Sequence, residues 1–361
     1  MNTVWYKKVF FAIFAAAVLC ALAEISLRVI YYQKSDAEPL CAVKVYKKLR
    51  KNHLQRAAQK EAGDMALSKD HLRFLYSDAG EDLLVELQAR YEGEFKKLRD
   101  ELARENVHLV MLYLPHYAYW NTHMPDSRDF FKSLAERSGV DFIDMTDDLL
   151  HYGLEEVTLL PEDHHLSRFG NQIIAKRLSG YLKDFESHRS ALKFSERPVL
   201  LGDERPGFYD LSPWDKRMPF ILKTNAQGLR MDYDLAFPKT QQRVLVLGDS
   251  YTFGPYLENA HTFPAILDRK LEHAEVINAG HGGYTISHES SLYFERAQYS
   301  EPDIVVLQVL DNDLEGLVYI HENQYDRHGK ARTPTTAERA FLEQAIRLDN
   351  KKAQPLTGPG F

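Results

Sequence analysis

Apolar positions along this chain recur with two spacings, and the alternation between the two predicts the architecture. Leu84, Leu87, Tyr91, Phe95, Leu98 and Leu102 share one face of an amphipathic helix over residues 81–105. The uninterrupted apolar run Val107–Leu114 then stops at Pro115, as a parallel strand buried on both faces would. Residues 128–138 read as a helix and Val140–Asp144 as a short strand. A second amphipathic helix covers 167–184, with Phe169, Ile173, Ile174, Leu178 and Leu182 on one face. Further along, a strand opens at Arg243 and runs to Leu247. A helix follows around 262–273, a short strand at Val276–Ile277 and a strong one at Ile304–Leu310. Strands alternating with helices predict a parallel sheet covered on both faces.

Between these two series, residues 187–242 hold Pro198, Pro206, Pro213, Pro219 and Pro238 and little periodicity, and read as a structured linker. Within it, Val199–Glu204 repeats a strand-Gly-Asp pattern without a serine and reads as a linker strand, while Asn225–Arg230 reads as a turn. The expected organisation is an anchor over 1–32, a polar neck over 33–80, a first half-domain over 81–186 and the linker over 187–242. A second half-domain over 243–320 and a loosely ordered tail over 321–361 complete it.

The 361 residues, 44% hydrophobic and 27% charged, suffice for one sizeable domain with appendages or for two small ones. A net charge of -7 argues against nucleic acid or anionic lipid as a main partner. Cys20 and Cys41 form neither a metal spacing nor a disulfide framework. The N-terminus says more. Lys7 and Lys8 precede the uncharged run Val9–Ala23, and apolar character resumes beyond Glu24 as far as Tyr32. One reading is a signal peptide cut after Ala23. The preferred one is an uncleaved transmembrane helix, with Glu24 and Arg28 four residues apart and Tyr31 and Tyr32 at the interface. Leu19 is too bulky for a lipoprotein site at Cys20. Lys34, Lys44, Lys47, Lys48, Arg50 and Lys51 oppose translocation of the C-terminal side. This charge rule weakens ahead of a long domain, so an extracytoplasmic, periplasmic domain is expected.

Three segments carry candidate chemistry. The strand Val244–Leu247 ends in Gly248-Asp249-Ser250, which puts a serine hydroxyl at the carboxyl edge of a parallel sheet, where ligands of open α/β sheets bind. Asn278–Thr285, containing Gly282 and Gly283, follows the next strand, and Asn312-Asp313 follows the one after. Each lies past the end of an apolar strand, so all three converge on one edge. A glycine N–H and an asparagine amide are suitable oxyanion donors. The bland readings are a helix cap for Ser250, a plain turn for Gly282-Gly283 and a cap or turn for Asn312.

Gly-Asp-Ser, a glycine block after the second strand and Asn-Asp after the third resemble the first three blocks of the SGNH (GDSL) hydrolases. Leu310 stands where that family has glycine. The fourth block, an acid-x-His before a helix, is found upstream of the serine, as Asp163-His164-His165 before the helix over 167–184. That order resembles the circularly permuted SGNH domains of alginate O-acetyltransferases and related exopolysaccharide acetylation proteins. Those proteins favour Trp after the histidine, where this chain has Leu166. The resemblance implies a three-layer α/β/α sandwich with a five-stranded parallel sheet. It implies Ser250 as nucleophile, His165 as base and Asp163 as the orienting acid, with Glu162 as an alternative acid. The oxyanion hole would be the Ser250 N–H, the Gly283 N–H and the Asn312 amide. Without the resemblance, His165 could simply cap the following helix.

The expected function is therefore ester chemistry through an acyl-serine, transferring O-acetyl groups to, or removing them from, a cell-surface or exported glycan. The partners expected are an O-acylated glycan or other ester and a membrane acyl-donor protein; no cofactor, metal or nucleic acid is implied. A general SGNH esterase is the alternative, and a non-catalytic scaffold in a polysaccharide assembly complex the second.

Overall fold

A computed structural model of the chain describes residues 75, 80–115, 127–160, 163–185, 194, 196–212, 218 and 220–319. All of them lie in one unit that begins at Gly63. In chain order the elements are α1 (Glu81–Arg104), β1 (His108–Tyr113), α2 (Arg128–Ser138), β2 (Asp141–Asp144), α3 (Thr146–Leu150), α4 (Leu154–Val157) and α5 (Arg168–Leu182). Then follow β3 (Tyr209–Ser212), β4 (Phe220–Lys223), β5 (Gln242–Leu247), α6 (Ser250–Phe253), α7 (Phe263–Lys270), β6 (Ala274–Asn278), α8 (Ile286–Glu295), β7 (Ile304–Val309) and α9 (Asn312–Tyr319).

Five strands form one sheet in the order β2-β1-β7-β5-β6, every pair parallel. β1 lies against β7 in a continuous register from His108 opposite Ile304 to Tyr113 opposite Val309. The two halves of the chain therefore build one sheet, as the permuted reading requires, and not two tandem half-domains. Two isolated halves would each leave a row of unpaired backbone groups at the edges that β1 and β7 here close.

Side chains of successive strand residues point to opposite faces, and each face has its own core. Met111, Tyr113, Leu245, Leu247, Val305 and Leu307 pack with α1, α2 and α8. Val110, Leu112, Val244, Val246 and Val306 pack with α5 and α7. This is why the central strands read as unbroken apolar runs. On α1 the fully buried positions are Leu83, Leu87, Tyr91, Phe95, Leu98 and Leu102; Leu84 is only partly covered, a shift of one position from the predicted face. Acidic Glu81 and Asp82 in its first turn and Arg104 in its last suit the helix dipole.

The linker departs from expectation in two ways. β3 and β4 pair as a separate antiparallel hairpin that the proline-rich sequence did not announce. Residues 199–204 are no strand. Val199 is 81% exposed, and the N–H groups of Leu201, Gly202 and Glu204 donate to the Gln227 and Gly228 carbonyls of the 225–230 turn, not to a neighbouring strand. The expected anchor (1–32) and tail (321–361) lie outside the described residues, as does most of the neck (33–80). Among the described residues no helix is long and apolar enough to cross a membrane.

Candidate active site

β5 delivers Ser250 through a turn that only glycine allows. A Cβ on Gly248 (φ 156°) would sit 2.4 Å from Thr252 Oγ1 and 2.6 Å from Gln308 Oε1. Asp249 then caps α6 by accepting the Tyr251 N–H at 2.9 Å, so Ser250 is the first residue of that helix.

His165 comes from the other half of the chain. A bridge between Thr158 and Leu166 and the Leu159 N–H to His165 O bond (2.8 Å) close a tight loop before α5. Ser167 caps α5 by accepting the Gly170 N–H at 3.2 Å, so His165 is not the cap. Its ring is left to other partners. His165 Nε2 lies 2.8 Å from Ser250 Oγ, and Nδ1 lies 2.5 Å from Asp163 Oδ1. Asp163 Oδ1 also accepts the His165 backbone N–H at 2.8 Å, which fixes the carboxylate against its partner. Tyr251 braces the loop, its hydroxyl donating to His164 O at 3.2 Å. Both side chains keep a little solvent access, 15% for His165 and 16% for Asp163. Glu162, the alternative acid, lies outside the described residues.

Burial would lift the Asp163 carboxyl, but the hydrogen bond and charge of His165 outweigh it and hold the group below its usual range. His164 is pulled down to about 4, by burial first and then by the charge of His165. It is therefore neutral near pH 7. Asp163, His164 and His165 also bring ligand atoms within 4.8 Å of one another, the one such cluster among the described residues. Both ring nitrogens of His165 are already engaged, which leaves that imidazole no lone pair for an ion.

The two expected oxyanion donors are tied to the residues just before Ser250. Asn312 begins α9, and its Nδ2 donates to Asp249 Oδ2 at 3.3 Å. Gly283 (φ 79°) lies in the exposed turn after β6, whose His281 N–H donates to Gly248 O at 3.1 Å. Burial and the neighbouring Asp249 push the Asp313 carboxyl far up; it accepts the Leu310 N–H at 2.7 Å. Leu310, where SGNH enzymes have glycine, is fully buried in the core on the α5 side.

Two contributors were not foreseen. Arg230, at the end of the 225–230 turn, is buried and donates to the carbonyls of Phe253 (2.6 Å) and Gly254 (2.8 Å), to Leu257 O and to Asn259 Oδ1 (3.1 Å). It thus gathers the C-terminal end of α6 and the loop behind it. Tyr256 in that loop has φ 62°, a left-handed conformation that costs a side-chain-bearing residue energy. Its ring lies 6.4 Å from that of His165 and edge-on to Phe220 of the hairpin at 5.9 Å.

A family model described as "SGNH hydrolase-like domain, acetyltransferase AlgX" matches residues 75–309. Among solved structures, the chain is similar to the O-acetyltransferase domain of Pseudomonas putida AlgJ, at 18% identity and a TM-score of 0.42, over 63% of this chain and 84% of that one. It is also similar to Pseudomonas aeruginosa AlgX, at 16% identity and a TM-score of 0.36, over 73% and 61%. Bacillus cereus PatB1 follows at 12% identity and a TM-score of 0.34, over 63% and 90%. No curated protein matches by sequence. The family match covers well over half the chain, so this protein belongs to the SGNH hydrolase-like, AlgX-type acetyltransferase domain family.

Proposed function

We propose that this protein transfers an O-acyl group, acetyl in the first instance, from an ester donor to a hydroxyl of an exported or cell-surface glycan, through an acyl-enzyme on Ser250. The observation that carries the reading is the continuous relay from Ser250 Oγ through His165 to Asp163. His165 Nε2 takes the serine proton as Oγ attacks the donor carbonyl. The Ser250 and Gly283 N–H groups and the Asn312 amide meet the oxyanion that forms. Collapse expels the donor's alkoxide, which leaves with the proton from His165. An acceptor hydroxyl then gives its proton to His165 and attacks the acyl carbon, and Ser250 Oγ departs and regains the proton. Asp163 accepts from Nδ1–H throughout, which holds the tautomer and stabilises the imidazolium.

Residues 1–32 would hold the enzyme at a membrane with its domain on the extracytoplasmic side, where an acyl-donor protein could reach it. The family membership supports transfer over plain hydrolysis. The test uses p-nitrophenyl acetate with and without an oligosaccharide acceptor, and a fluorophosphonate probe for the nucleophile. The native protein should be labelled and should divert acetyl from water to sugar. Ser250→Ala should lose labelling and several orders of magnitude in rate. Native-level activity in Ser250→Ala rejects the mechanism; acetate release that no glycan diverts leaves an esterase.

A further inference from the structure

The stretch Gly202-Asp203-Glu204, a Gly-Asp pattern without a serine, is held against the 225–228 turn. The Glu204 N–H donates to Gly228 O at 3.0 Å, and a Cβ on Gly202 would lie 2.1 Å from the same oxygen, so the segment is pressed against the 225–228 turn. From there Asp203 accepts the Tyr284 hydroxyl at 2.5 Å and pairs with Arg296. Tyr284 is the middle ring of a stack of three: His281 lies 4.4 Å away at 26° and His288 4.9 Å away at 21°. The linker thus buttresses a platform of rings on the turn that carries Gly283. That turn is tied to Gly248 by the His281 N–H. It is also open: a Cβ on Gly282 or Gly283 meets nothing within 4 Å.

At the end of the stack, His281 Nδ1 lies 3.1 Å from Gly282 O. Its Nε2 faces Glu204 Oε1 across 3.7 Å. That separation is too long for a hydrogen bond between them. The side chains stay 37% and 19% exposed. An imidazole nitrogen and a carboxylate oxygen side by side, on an open turn tied to Gly248, offer two hydrogen-bonding atoms to one ligand. Adjacent hydroxyls of a pyranose, each both donor and acceptor, match them, while the ring offers a surface for the sugar to lie against.

We propose that His281 and Glu204 dock the acceptor sugar, hydrogen-bonding two neighbouring hydroxyls and so deciding which hydroxyl reaches the acyl-serine. This inference rests on the transfer reading above. In it, the linker between the two half-domains, through Glu204, shares acceptor specificity with His281 of the second half-domain.

The test partitions acetyl between sugar and water on the full-length protein, with p-nitrophenyl acetate as donor and a β-1,4-glucan hexamer or a mannuronate hexamer as acceptor. In Glu204→Gln and in His281→Ala the ratio of transfer to hydrolysis should fall about tenfold, through a higher KM for the acceptor. Glu204→Gln keeps the ring stack, so it carries the test if His281→Ala does not fold. Transfer and hydrolysis that change by the same factor in the variants overturn the inference and leave the transfer reading standing. A native protein that acetylates neither hexamer while releasing acetate overturns the transfer reading, and this inference with it.

Discussion

Asn312 Nδ2 donates to Asp249 Oδ2 across 3.3 Å, so the residue before the nucleophile holds the side chain that opens α9. Asp249 thereby performs two tasks, capping α6 and orienting the proposed oxyanion amide. Loss of one such donor in a preorganised site lowers kcat by about 10²–10³. Asn312→Ala should fall in that range on p-nitrophenyl acetate. Asp249→Asn, which sets a second amide against the first, should fall in the same direction with Ser250 and His165 untouched. Near-native kcat in Asn312→Ala would remove it from the oxyanion hole.

Asp163 rather than Glu162 should be the residue that matters to His165, because its Oδ1 already occupies Nδ1 at 2.5 Å. Asp163→Asn should cost about 10⁴ in kcat through the wrong tautomer, with little change in fold. Glu162→Gln should retain native turnover. The reverse pattern in steady-state kinetics would reassign the acid.

His164 gives a pH signature of its own. Its folded value near 4 lies below its ordinary 6.5, so the unfolded chain takes up the proton first as pH falls. The stability it contributes is complete above 6.5 and is lost between 6.5 and about 4. Urea midpoints at pH 7 and pH 4.5 should therefore differ more for the native protein than for His164→Gln. Tyr251 uses only the backbone oxygen of His164, which the substitution keeps. Equal drops would overturn the assignment.

Much of this site can be read along the chain because each piece ends a strongly patterned element. The strands before Ser250 and Asn312 are unbroken apolar runs, the helix after His165 is periodic, and the chemistry sits at their ends. What stayed hidden depends on contacts without a local signature. β3 and β4 are four-residue strands amid prolines, too short to show alternation. The 225–230 turn was legible, with Asn225 Oδ1 accepting the Gln227 and Leu229 N–H groups, but nothing in it says that Arg230 will be buried against three carbonyls of another segment. Gly202-Asp203-Glu204 looked like a strand end because local pattern cannot separate a strand from a stretch laid on a turn. Its partners Tyr284 and Arg296 lie far along the chain.

The pairing of β1 with β7 also sets the order in which the protein can assemble. As the chain emerges from the ribosome, β1 and β2 are made early, yet the edge of β1 stays open until Ile304–Val309 arrives. Such distant pairing means high contact order and slow closure. An exposed apolar edge during that wait is where a nascent chain sticks to its neighbours. Among the described residues the last strand to be synthesised is the central one of the sheet, so a chain truncated before residue 304 keeps Ser250 and His165 but lacks both the strand that joins their halves and Asn312.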